Sequence, residues 1–146
     1  MRVTQRTITA RFPRPGFHCW PEAPGPRGYL AHPHRHLFHV EASVTVTHDD
    51  REVEFHDLLD AAAGGWPDQL DLGRRSCEQL AEAVAAGIDL TWPGRQITVA
   101  VYEDNEVGAT ITFKENHDRR DAIERGAVRP RPPGARPRVQ VPQPAR

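Results

Sequence analysis

Between Phe38 and Thr47 the chain alternates with a period of two. Phe38, Val40, Ala42, Val44 and Val46 fall on one side, and His39, Glu41, Ser43, Thr45 and Thr47 on the other. This is the pattern of a strand with one face on an apolar core and the other toward solvent. His34 and His36, just upstream, share the parity of the apolar set, so their imidazoles leave the strand on the core side, at its open end. His39 faces the other way and reads as a surface histidine. Two imidazoles at i and i+2 can converge on one ion, and three neutral imidazoles with an open fourth position form a known catalytic zinc arrangement. His32 continues the parity, but four residues of strand span roughly 13 Å. Two rings that far apart could hardly each place a nitrogen about 2.1 Å from one metal. The third ligand has to come from elsewhere, and His18 is the best candidate. The alternative for His32-Pro33-His34-Arg35-His36 is a solvated polar loop.

The rest of the chain supplies the partners such a strand needs. Val3 to Phe12 is rich in β-branched residues and favours a strand. Pro13 to Pro33 is dense in proline and glycine and reads as a long loop, a kind of segment that is usually functional in a compact domain. His48-Asp49-Asp50 is turn chemistry, with Arg51 to Phe55 as a short returning strand. A first helix is expected from about His56 to Ala63, stopped by Gly64-Gly65. A second starts at Ser76, where Gln79 three residues on completes a capping box, and Gly87 and Pro93 close it. Gln96–Glu103 and Gly108–Phe113 alternate again, joined by a hairpin. The order is ββααββ, which predicts an α+β fold: an antiparallel four-stranded sheet with two helices on one face.

Charge divides the chain. From Asp118 to Arg146 there are eight arginines, three acids and six prolines, a net +5, which leaves −6 on residues 1–117 within the overall −1. We expect one domain over residues 1–117 and a Pro/Arg-rich tail over 118–146 that cannot bury enough apolar surface to order itself. No aromatic residues interleave those arginines, which argues against nucleic acid as a partner. There is no apolar stretch of membrane-spanning length, and Met1-Arg2-Val3-Thr4 leads straight into a strand-like pattern, so neither a membrane nor a signal peptide is expected. Cys19 and Cys77 make no disulfide framework, and a cytoplasmic, reducing compartment is the simplest expectation.

Glu103 has the parity of Ile97, Val99 and Val101, so its carboxylate leaves the strand on the core side, where it needs a partner. The other reading makes it an exposed turn residue of Glu103-Asp104-Asn105-Glu106. Cys77 opens a helix, where a thiolate would be stabilised, though a small packing residue is the plainer reading.

Taken in order, His18, His34-Arg35-His36, Glu54-Phe55, Ser76-Cys77-Glu78-Gln79-Leu80-Ala81 and Val101-Tyr102-Glu103-Asp104 resemble the motifs of the 6-pyruvoyl-tetrahydropterin and 6-carboxy-tetrahydropterin synthases, zinc-dependent lyases of the tunnelling-fold group. The resemblance covers roughly residues 3–114. It implies zinc on His18, His34 and His36, and Glu103 as the anchor of a pterin-like ring. It also implies a homo-oligomeric ring in which Glu103 meets the zinc of a neighbouring chain; exposed sheet edges point to assembly as well. The chain departs from the family where catalysis would be expected. The family's cysteine position is occupied by Tyr29-Leu30-Ala31, its Asp-His pair by Leu70-Asp71-Leu72-Gly73, and the glycine between the metal histidines by Arg35. The catalytic residues are therefore unknown, with Asp71, His32 or His56 as proton-transfer candidates and Cys19 as a substitute nucleophile. The expected function is a zinc-dependent enzyme on a small heterocyclic substrate. The alternative is a non-catalytic metal- or pterin/purine-binding protein whose basic tail engages a partner, and a third reading leaves the histidines purely structural.

Overall fold

The computed structural model describes residues 1–116; the expected tail from Asp118 onward lies outside them. Four strands form one antiparallel sheet in the order β1-β2-β3-β4: β1 (Arg6–His18), β2 (His34–Val46), β3 (Ile97–Glu103) and β4 (Val107–Phe113). Two helices, α1 (Phe55–Gly65) and α2 (Cys77–Thr91), connect β2 to β3 and cover one face. The α+β class and the ββααββ order are those expected from the alternation. A short 3₁₀ helix, Gly25–Ala31, adds a turn to the loop between β1 and β2 and buries none of its residues.

The core lies between the sheet and the helices. Phe38, Val40, Ala42 and Val44 of β2 and Ile97, Val99 and Val101 of β3 face Leu58, Leu80, Val84 and Ile88. Trp66, just past α1, sets its ring 5.5 Å from that of Phe38. Helix α2 begins as its sequence dictates. The Ser76 side chain accepts from the Gln79 N–H while the Gln79 side chain accepts from the Ser76 N–H, satisfying two otherwise orphaned donors.

Three local expectations are corrected. First, β1 does not end at Phe12 but runs through Pro13 and Pro15 to His18. The Phe17 N–H and C=O point away from β2, toward Leu70 and Leu72. Pro13 and Pro15 share that parity, so their missing N–H groups fall on the outer edge, where the β1–β2 ladder needs no donor. Second, Arg51 to Phe55 forms no strand. Glu54 is instead the cap of α1, its carboxylate accepting from the N–H groups of His56 and Asp57. Third, Gly64-Gly65 close α1 as expected, but Gly87 does not stop α2. It lies inside that helix, and a Cβ on Gly87 would fall 2.7 Å from Gly65 Cα and 2.8 Å from the Ala61 carbonyl. The two glycines let α1 and α2 approach backbone to backbone, and α2 continues to Thr91.

Candidate metal centre

The β1–β2 register assembles the site. His18, the last residue of β1, sits directly opposite His34, and Gly16 sits opposite His36. All three imidazoles therefore leave the sheet on its core side, at the end where Phe38 closes the apolar layer. Their ring centroids are 4.7 Å apart for His18 and His34, 5.3 Å for His18 and His36, and 5.0 Å for His34 and His36. One nitrogen from each lies within 4.8 Å of those of the other two. A Cβ on Gly16 would stand 2.6 Å from Leu72 Cδ1 and 3.2 Å from the Phe38 ring, so a side chain there would have to displace Leu72.

The second nitrogen of each ring is already committed. His18 Nδ1–H donates to the Arg75 carbonyl at 3.0 Å, His34 Nδ1–H to the His32 carbonyl at 2.8 Å, and His36 Nδ1–H to Asp104 Oδ2 at 2.6 Å. Each partner is an acceptor, so each Nδ1 carries a proton, and in a neutral ring Nε2 is then the nitrogen free to bind an ion. This is the outer arrangement that fixes tautomer and ring direction in histidine metal sites. Asp104 sits at φ 49°, in the left-handed region that Asp tolerates, and its other oxygen accepts from the Leu37 N–H at 2.9 Å. The bond from His36 and that from the Leu37 N–H hold the Asp104 carboxyl below the usual carboxylate range.

Glu103 completes the cluster. Its core-side parity is as read from the sequence, and its partners are the histidines: Oε1 is 3.1 Å from His18 Nε2, and Oε2 is 3.5 Å from His36 Nε2. The second contact makes no hydrogen bond, so His36 Nε2 is buried without a partner. The expectation that Glu103 would meet a neighbouring chain's metal is corrected, because it lies against the triad of its own chain. An orphaned buried nitrogen, two further imidazole nitrogens within reach of it and a carboxylate form a donor set that suits a cation.

Beside the triad opens a cleft of about 460 Å³, lined among others by Cys19, Trp20, Leu30, Arg75, Glu103 and Ala109. Cys77 also lines it, and its thiol donates to Glu103 Oε1 at 3.7 Å. Burial, and then the Glu103 carboxylate, push that thiol up to about 12. Burial and the neighbouring charge thus outweigh the helix N-terminus that would favour a thiolate, and Cys77 is a hydrogen-bond donor rather than a nucleophile.

The other candidates stay apart. His32 is exposed and contributes its carbonyl. His39 lies on the outer face of β2, opposite Tyr102. Asp71 turns its carboxylate back onto the Gly73 N–H. His56 begins α1 next to Phe55, which lines a separate cleft with Arg6, Val46 and Glu52 at the opposite end of the sheet. Two functional contacts had no reading in the sequence. Asp104 could have been suspected from its place in the hairpin after Glu103; the Arg75 carbonyl, a backbone group, leaves no signal. Compared with known proteins, the chain matches no family model and no curated sequence.

Proposed function

We propose that this chain is a zinc-dependent enzyme acting on a pterin-like heterocyclic substrate, a lyase of the 6-pyruvoyl/6-carboxy-tetrahydropterin synthase kind. The observation that carries the metal half is the convergence of one nitrogen from each of His18, His34 and His36 to within 4.8 Å of one another, beside a carboxylate and with each Nδ1 bonded outward. His18, His34 and His36 would hold the ion. Three imidazole ligands suit zinc, which would supply Lewis acidity toward substrate oxygens. The ring-binding half is supported by the adjoining cleft, where Glu103 can accept from paired N–H groups and Trp20 offers an aromatic face. Homo-oligomerisation belongs to the same reading. Within the described residues the outer edge of β4 has no strand beside it, and Val107 is exposed there. No described helix is long and apolar enough to cross a membrane.

One observation favours the second reading, a metal- or pterin/purine-binding protein without turnover. Asp71, His32 and His56 lie away from the triad, and the Cys77 thiol stays protonated, so none of the expected proton-moving groups reaches the cleft in an active form. Metal analysis of purified protein, followed by turnover of dihydroneopterin triphosphate with added zinc, tests both. One zinc per chain with turnover supports the enzyme. Stoichiometric zinc or pterin binding without turnover supports the binding protein, and absence of both metal and pterin binding rejects both.

A further inference from the structure

Glu103 stands closer to the triad than a ring anchor requires. Ligands about 2.05 Å from a tetrahedral zinc are separated from one another by about 3.3 Å. The Glu103 oxygens are 3.1 Å from His18 Nε2 and 3.5 Å from His36 Nε2, the spacing of donors that share an ion. Each ring turns Nδ1 to another acceptor, so Nε2 is the atom presented to the carboxylate. A cation between those nitrogens and Glu103 would be coordinated by both sides. The backbone also holds Glu103 firmly: it closes β3 opposite Phe38 and accepts the Glu106 N–H across the hairpin.

The side chain has its own support. Cys77 is the first residue of α2, fixed by the Ser76–Gln79 capping box, and its thiol reaches Glu103 Oε1 from the helix side. Serine in its place could make the same bond, whereas alanine could not.

We propose that Glu103 is the fourth donor to the cation held by His18, His34 and His36, and that the Cys77 thiol positions its carboxylate for that role. The inference rests on the triad being a metal site. It would give the site four protein donors when no substrate is bound. A substrate oxygen would then reach the ion by displacing Glu103 or as an added ligand, and a displaced carboxylate would be free to accept from the ring's N–H groups.

Cobalt(II) is the probe, because its visible absorption reports the number and kind of its ligands. Wild type, Glu103→Gln, Cys77→Ala, Cys77→Ser and His34→Ala are titrated with cobalt after circular dichroism has confirmed that each folds. The wild type should give the intense spectrum of a four-coordinate site. Glu103→Gln should shift that spectrum and weaken cobalt by about tenfold or more. Cys77→Ala should weaken it by several-fold, with Cys77→Ser restoring wild-type behaviour. A Glu103→Gln spectrum and affinity equal to wild type, with His34→Ala defective, would overturn the fourth-donor role and leave the triad standing. Wild-type cobalt binding by His34→Ala would reject the triad itself. A wild-type Cys77→Ala beside an altered Glu103→Gln would remove Cys77 from the proposal.

Discussion

Glu52 should set the acid stability of the end of the sheet remote from the histidines. Its carboxylate accepts from the Thr47 N–H at 2.6 Å and the Thr47 hydroxyl at 2.9 Å, and it pairs with Arg95, which also donates to the Thr45 carbonyl at 2.9 Å. The pair thus ties the end of β2 to the turn before β3, with both side chains largely buried, 15% and 13% exposed. Burial raises the Glu52 carboxyl, but the Thr47 and Arg95 bonds outweigh it and hold the group at about 2, against an ordinary 4.5. A carboxyl depressed in the folded state stabilises fully above its unfolded value, and that contribution fades as pH falls through the folded value. The loss should therefore run from about pH 4.5 down to about pH 2. The gap between those values, at about 1.4 kcal/mol per pH unit, sets a ceiling of about 3 kcal/mol. Solvent at the rim of the pair lowers the expectation to about 2 kcal/mol.

Glu52→Gln mimics the protonated acid in shape and charge, so it should cost about 2 kcal/mol at pH 7 and close to nothing near pH 2. Urea unfolding of wild type and variant across that range measures the difference, and comparing the two proteins cancels the titration of every other group. A wild-type advantage that stays constant from pH 7 to pH 2.5 would refute the reasoning. Zinc content should not change in the variant, because Glu52 and the triad occupy opposite ends of β2.

Further expectations concern the site and the helix pair. Replacing His18, His34 or His36 by alanine should remove most bound metal, as read by elemental analysis, whereas His32→Ala and His39→Ala should retain it. Asp104→Asn keeps a side chain that tolerates positive φ but loses the charged acceptor for His36; zinc affinity by chelator competition should fall about tenfold with stoichiometry intact. In zinc-saturated protein, Glu103→Gln should weaken pterin-like ligands by roughly one to two orders of magnitude by calorimetry, and equal affinity would remove the ring-anchoring role from Glu103. Gly87→Ala forces a methyl against the Gly65 backbone and should destabilise the fold by about 1–3 kcal/mol in thermal or urea unfolding.

The parts of the fold that could be read in the sequence were those governed by one-dimensional periodicity. Alternation placed β2, β3 and β4, and the Ser76–Gln79 capping box placed the start of α2, because each pattern is local. The β1 extension was not legible. Proline breaks a strand only where its nitrogen faces a neighbour, and which side Pro13 and Pro15 present depends on a register no single segment contains. Gly87 misled for a related reason. It reads as a helix stop until α2 is seen to pack against Gly65, the last residue of α1, at that position.

The same divide runs through the metal centre. Parity put His34, His36 and Glu103 on the core side, and the span limit excluded His32, so the search for a third ligand reached His18 without a structure. What parity cannot supply is the state of each ring. That state is set by two backbone carbonyls, those of His32 and Arg75, and by a carboxylate displayed at positive φ in a hairpin, Asp104. Carbonyls carry no residue code, and the hairpin reaches His36 only because β2 pairs with β3. Yet these three acceptors hold Nδ1 outward, and so turn the Nε2 atoms of His18 and His36 to Glu103. A cation among the donors would balance the carboxylate and give the buried, partnerless Nε2 of His36 a partner.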